Sequence, residues 1–277
     1  MIEKIDMTAL IITLSSIFSL ALLIFLLYIL LFVRPRARRP ENESLLCDYA
    51  HRGLHGRGVP ENSLKAFELA CEAGKGIELD VQLSRDGEVM VFHDYTLIRM
   101  TGVDKKLCEL DRSELCELSL AESEEKIPTF SEVLALVGGR VPILVELKGE
   151  DLSSDLCPKV AKLLSEYDGD YCIESFNPLL VKNMRKCLPD AYCGLLYTNV
   201  CREKQKKSAL NILLTVMAFN FLARPDFMAY DKKDRNSFFV RLTTKFYRAP
   251  RFVWTLKNEE ELATAHKLGE NPIFERE

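Results

Sequence analysis

The feature that most constrains this chain is the run from residue 9 to residue 33. It holds no charged residue and is almost entirely apolar, and Arg34-Pro35-Arg36-Ala37-Arg38-Arg39 follows it directly. Twenty-five residues make a helix of about 37 Å. A bilayer's hydrocarbon core is about 30 Å thick, so such a helix spans it with some tilt. A cleaved signal peptide is the competing reading, and three features oppose it. The preceding residues Glu3, Lys4 and Asp6 are net negative rather than basic. The run exceeds the apolar region of about 7–15 residues that such peptides carry, and no small-x-small site precedes the arginines. The expectation is an uncleaved single-pass anchor in the cell membrane, residues 1–33. Arginines on its C-terminal side place the following body in the cytoplasm by the positive-inside rule.

Cysteine usage tests the orientation independently. All nine cysteines lie after the run, from Cys47 to Cys201, with no Cys-x-x-Cys and no zinc-type Cys/His cluster. Scattered thiols of odd number fit a reducing compartment. Residues 1–39 are net positive by three, which leaves residues 40–277 at −7 against −4 for the whole chain. An acidic body argues against nucleic-acid binding, which needs a basic face, and is compatible with a site for a metal cation.

Residues 34–45 are basic and then polar, with two prolines, and read as a linker. The remainder, residues 46–277, is close in length to a single (β/α)8 barrel of about 250 residues. Short apolar runs alternate there with segments of helical period, as that α/β architecture requires. Strands are expected at residues 46–50, 76–81, 89–92, 143–147, 171–175, 193–197, 227–230, 252–255 and 272–275. That is one more than a barrel takes. The turn Ser84-Arg85-Asp86-Gly87 is too short for a crossover helix, so residues 89–92 read as an excursion beside the second strand. Helices are expected at residues 63–73, with Ser63 as N-cap, and at 129–137, 156–167, 178–187 and 259–268. A second apolar run, residues 210–222, is too short to span and reads as a barrel-packing helix, with a membrane-surface patch as the alternative.

Glu78 and Asp80 are two apart on an expected strand, so both carboxylates share a face. Two like charges on an inward face repel unless a cation sits between them, and hard divalent ions take such oxygen ligands. Glu146 and Lys148 close an otherwise apolar strand, where burial requires pairing or a metal. The C-terminal ends of barrel strands are where catalytic groups collect. Of four histidines, His51 and His93 fall at expected strand ends beside these carboxylates, where they can serve as general base and general acid. His55, in a loop beside Gly56 and Gly58, and His266, in a helix, read as structural.

With those residues in place, the chain resembles the glycerophosphodiester phosphodiesterase family. The ordered set His51-Arg52-Gly53, Pro60-Glu61-Asn62-Ser63, Glu78-Leu79-Asp80-Val81, Asp86-Gly87 and His93-Asp94 carries the likeness. It continues through Leu97-x-Arg99, Thr101-Gly102, Ile127-Pro128-Thr129-Phe130, Glu146-Leu147-Lys148, Ser175-Phe176-Asn177-Pro178 and Trp254-Thr255. The resemblance implies a metal-dependent TIM barrel in which Glu78, Asp80 and Glu146 hold one divalent ion, Mg²⁺ or Ca²⁺. It implies His51 and His93 as the acid/base pair, and Arg52 and Lys148 as cations for the substrate phosphate. The implied substrates are glycerophosphodiesters, split to glycerol 3-phosphate and an alcohol.

Two departures from the family pattern stand out. Ser63 replaces the usual Thr and keeps the capping hydroxyl. The usual Gly-x-Asp-x-Ile-x-Thr-Asp strand is replaced by Gly269-Glu270-Asn271-Pro272-Ile273-Phe274-Glu275-Arg276-Glu277, so a short last strand and a weak barrel closure are expected. Two rival readings remain. One is lysophospholipase D-type activity on lipids still in the bilayer, which an anchor favours by raising effective concentration. The other is an inactive membrane-tethered binding module, since a fold alone does not fix function.

Overall fold

Each apolar run expected as a strand finds its neighbours in order. The computed structural model describes residues 7–149 and 155–275. Its strands are β1 (Tyr49–Ala50), β2 (Gly76–Leu83), β3 (Val89–Val91), β4 (Ile143–Leu147), β5 (Tyr171–Ser175), β6 (Cys193–Tyr197), β7 (Phe227–Asp231), β8 (Arg251–Leu256) and β9 (Asn271–Phe274). All but β3 form one parallel sheet, in which β1 pairs with both β2 and β9 and so closes the circle. The result is an eight-stranded parallel barrel with helices outside it, a TIM barrel. The strand β3 pairs antiparallel with β2 alone, Val81 opposite Val91, as the excursion reading expects.

Closure at the last strand holds although Pro272 removes a backbone donor. The register between β8 and β9 shifts between Val253 and Leu256, and His51 N bonds Phe274 O at 2.8 Å on the other side. The expected first strand at residues 46–50 is shortened to Tyr49–Ala50. Its lead-in is a 3-10 turn, Glu43–Leu45, whose Leu45 is buried.

Strand alternation separates two cores. Ile77, Leu79, Val81, Ile143 and Val145 point outward against helices such as Leu64–Glu72, Phe130–Val137 and Leu156–Ser165. The barrel interior is filled from below by Tyr49, Leu144, Cys172, Tyr192, Leu196, Phe227 and Phe252. Gly194 on β6 is required there: an added Cβ would meet the Phe227 ring at 2.1–2.5 Å. A third cluster, with Met90, Phe92, Leu97, Leu107, Leu115 and Ile127, packs the segment after β3. Ser63 caps its helix as expected, accepting from Ala66 N at 3.1 Å, and Thr129 caps Phe130–Val137 in the same way, accepting from Glu132 N at 3.2 Å. None of the nine cysteines is in a disulfide.

Residues 7–33 form a helix long and apolar enough to cross a membrane, α-helical over Met7–Tyr28 and ending in a π turn, Ile29–Val33. Its last turns pack on the barrel: Asn220 Nδ2 donates to Val33 O at 2.9 Å and Tyr28 OH to Val216 O at 2.6 Å. The arginines after it also dock. Arg36 and Arg38 approach the buried Asp226 at 3.6 and 3.5 Å, beside Arg185 at 3.1 Å.

The expected helix at residues 210–222 is two short ones, Ala209–Thr215 and Asn220–Ala223, broken at Met217 with φ +56°. Leu210, Ile212 and Leu213 are exposed, which differs from a helix packed on the barrel by its apolar face.

Candidate active site

The parallel register stacks carboxylates at one level. Asp80 lies opposite Glu146, and Glu146 opposite Glu174, on β2, β4 and β5. Glu78 is one inward position lower on β2. Oxygens of Glu78, Asp80 and Glu146 lie within 4.8 Å of one another, and all three side chains are buried. Burial pushes the Glu78 carboxyl well above its usual range, and Asp80, Glu146 and Glu174 add to the rise. Burial likewise raises Glu146 to about 7, against the pull of Lys148. Asp80 resists its burial and is held low by Lys148, His93 and Arg52. Crowded buried oxygens with too few cations are the donor chemistry of a hard divalent ion, so these residues fit one.

The two cations are placed by backbone and network. Arg52 adopts φ +56°, which turns its N–H to Glu78 Oε2 at 2.9 Å. Gly53 follows at φ +82°, where an added Cβ would lie 2.8 Å from the Ala66 side chain. The Arg52 side chain reaches Asp80 at 3.6 Å and Glu61 at 2.8 Å. Lys148 bridges Glu146 at 2.7 Å and Asp80 at 3.1 Å. Asn62 donates to Asp80 Oδ2 at 2.9 Å. The string Pro60-Glu61-Asn62-Ser63 thus orients an arginine, orients a carboxylate and caps a helix, in that order.

Both histidines present a carboxylate to Nδ1. His93 Nδ1 meets Asp94 Oδ1 at 2.6 Å, and Arg99 links Asp94 at 2.5 Å to Glu61 at 2.6 Å. Gln82 Nε2 pins this loop by donating to the carbonyls of Phe92, His93 and Asp94. Burial lowers the His93 pKa, which favours a neutral ring at neutral pH. His51 Nδ1 meets Glu275 Oε1 at 2.6 Å, while Nε2 faces Glu78 Oε2 at 4.0 Å. A partner on Nδ1 fixes the ring and leaves Nε2 for the chemistry.

A cavity of about 120 Å³ is lined by His51, Arg52, Glu78, His93, Glu146 and Lys148, with Asp80 buried beneath them. All seven residues singled out in the sequence therefore meet in one place. His266 does not: it pairs with Asp48 at 2.7 Å. His55 is absent from the cavity wall.

The sequence reading missed Glu174 and Glu275. Glu174 ends an apolar strand just as Glu146 does, and that signal was available; its Oε2 is buried with no protein partner. Glu275 had no such signal, because its place in the site depends on closure of the last strand.

The chain matches the model of the "Glycerophosphoryl diester phosphodiesterase family" over residues 51–275. A curated "Glycerophosphodiester phosphodiesterase" of Caldanaerobacter subterraneus is 31% identical over 236 residues, covering 81% of this chain and 91% of that protein. A solved glycerophosphodiester phosphodiesterase of Thermotoga maritima is similar with a TM-score of 0.63 at 26% identity, over 83% of this chain and 94% of that one. A phosphodiesterase of Oleispira antarctica, solved with its product sn-glycerol-3-phosphate, shares the fold with a TM-score of 0.68 at 24% identity, over 83% and 93%.

Proposed function

The chain belongs to the glycerophosphoryl diester phosphodiesterase family, and from that premise we propose that it hydrolyses glycerophosphodiesters to glycerol 3-phosphate and an alcohol at the cavity just described. The observation that carries this is the meeting of three buried carboxylates, two carboxylate-backed histidines and two cations in one pocket at the C-terminal ends of the strands.

In this reading Glu78, Asp80 and Glu146 hold one divalent ion, Mg²⁺ or Ca²⁺, both of which accept carboxylate oxygens. When bound, the ion neutralises charge on the phosphoryl oxygens. Arg52 and Lys148 bind the two non-bridging oxygens, where negative charge gathers as the attacking oxygen adds. One histidine takes the proton of the attacking hydroxyl, and the other gives one to the departing alcohol as the P–O bond breaks. The attacker is water or the substrate's own 2-hydroxyl, and a cyclic glycerol phosphate detected during turnover identifies the second route. Glu275 and Asp94 are positioning residues for the two rings.

The experiment is turnover of glycerophosphocholine by the full chain before and after EDTA, with Mg²⁺ or Ca²⁺ added back. Loss with EDTA and a fall of more than about 10²-fold in His51→Ala, His93→Ala and Glu78→Ala support the reading. Full activity in any of the three overturns it.

Residues 1–33 are read as a membrane anchor, 34–45 as a linker and 46–277 as a cytoplasmic catalytic domain. Retention of the chain after alkaline carbonate washing tests the anchor, and protease protection tests the side. A second reading, action on a lysophospholipid in the bilayer, is favoured by one observation. A groove of about 800 Å³ begins at His93, Glu146 and Lys148 and runs on to Leu210, Leu214, Phe219 and Leu222. Rates on lysophosphatidylcholine and glycerophosphocholine separate the two.

A further inference from the structure

One apolar surface of the barrel is left exposed among the described residues beside the N-terminal helix, which touches only its edge. On the connection from β6 to β7, Leu210, Ile212, Leu213 and Phe221 are exposed; on that from β7 to β8, Phe238 and Phe246 are. Leu210, Ile212 and Leu213 follow the C-terminal end of β6, and Phe238 follows that of β7, so these stand toward the face that carries the catalytic cavity, while Phe221 and Phe246 lie further along, on the return to β7 and β8.

The helix touches the same rim. Followed backwards from Val33, it sets Phe32 edge-on to Phe221 with ring centroids 5.2 Å apart. Tyr247 OH then donates to Ile29 O at 3.3 Å, and Phe25 meets Phe238 at 6.2 Å. Residues 7–27 are exposed throughout. Those 21 residues measure about 31 Å as a helix, which matches a hydrocarbon core of about 30 Å. The helix is therefore free to enter a bilayer at the level of Phe25 and Phe238, and Phe238 with Leu210, Ile212 and Leu213 forms the rim at that end.

Charge agrees with the placement. Residues 200–250 carry eleven Lys/Arg against four Asp/Glu, in a body that is otherwise strongly acidic. Arg202, Lys204, Lys206 and Lys207 are exposed just before Leu210, and Arg241 is exposed three residues after Phe238. Three of the four acids, Asp226, Asp231 and Asp234, are buried. Exposed apolar side chains ringed by lysine and arginine are the composition of a surface that lies in the headgroup region of an anionic leaflet.

We propose that this rim is a second membrane-binding surface, bedded in the leaflet that the N-terminal helix traverses, so that the catalytic mouth opens onto lipid. The proposal rests on the anchor reading above. It assigns the groove from Lys148 to Leu222 to the acyl chain of a single-chain glycerophospholipid, entering tail-side from the leaflet while its phosphate reaches Arg52 and Lys148.

The test uses the full chain in vesicles of phosphatidylcholine with phosphatidylglycerol. A Leu213→Trp variant is expected to be quenched by lipids brominated on the upper acyl chain, beyond the quenching of the parent's Trp254. The double variant Ile212→Ser/Leu213→Ser is expected to lose on the order of tenfold of its rate on lysophosphatidylcholine in the vesicle, with its rate on soluble glycerophosphocholine kept within about twofold. Equal losses on both substrates, no loss on either, or no added quenching overturns the proposal. A parent that carbonate extracts from the membrane refutes the anchor and this proposal with it. A parent that hydrolyses neither substrate refutes the hydrolase reading alone, and the quenching still decides the rim.

Discussion

Glu275 is the residue whose role was least visible before the chain was folded. Its hydrogen bond to His51 lowers its carboxyl to about 2, with burial working the other way. A folded pKa below the usual 4.5 means that the pairing contributes stability fully above that value and loses it as pH falls toward about 2. The Glu275–His51 contact is thus intact across the range in which such an enzyme is assayed. Glu275→Gln is expected to lower kcat by about 10–10²-fold with little change in KM, and Glu275→Asp to restore part of it. An unchanged kcat in Glu275→Gln removes the residue from any positioning role. The carboxylate trio gives a second residue-scale expectation. With Glu78 pushed up and Glu146 at about 7, protons compete with the metal. Divalent ions should therefore raise the Tm more at pH 8 than at pH 6, and the gain should vanish in Glu78→Gln. A metal-induced shift that grows as pH falls contradicts this.

At the scale of elements, most strands were legible because an apolar run bounded by turn residues has few alternatives once a helix follows it. Ile143–Leu147, Tyr171–Ser175 and Cys193–Tyr197 match their expected bounds. The exceptions have physical causes. The strand β1 is short because Leu45 must turn inward to fill the barrel floor. The run at residues 210–222 splits because it has two surfaces to serve, one against Val33 through Asn220 and one facing outward through Leu210 and Leu213. Periodicity cannot show such a division of labour. Gly194 is a case where packing alone explains a residue. Gly194→Val should cost about 1–3 kcal/mol or more by forcing the Phe227 ring out of its stack with Tyr192 and Phe252. The denaturant midpoint with an unchanged m-value measures it, and an unaltered midpoint refutes the packing argument.

For the whole molecule, the decisive link is between the helix and the barrel. Asp226 is fully buried, and Arg36, Arg38 and Arg185 surround it while its Oδ2 accepts from Cys193 N at 3.0 Å. The arginines that set orientation in the sequence reading are thus also a clamp that fixes the barrel against the helix. Asp226→Ala should cost about 3 kcal/mol and expose residues 34–39 of the full chain to trypsin. Cleavage at the parent's rate means that the clamp does not hold.

The sequence by itself determined the apolar helix, the barrel class, and the seven residues His51, Arg52, Glu78, Asp80, His93, Glu146 and Lys148. Each is set by local period or by a short motif, and those survive in one dimension. Only the tertiary structure decided what came from closing the circle and docking the helix. It brought Glu275, just after the last strand, to His51 in the first connection, lined Glu174 up with Glu146, and set the exposed Leu210 beside His93 and Lys148. Those contacts join residues far apart in the chain, and their positions are set by barrel closure and packing, which no local pattern encodes.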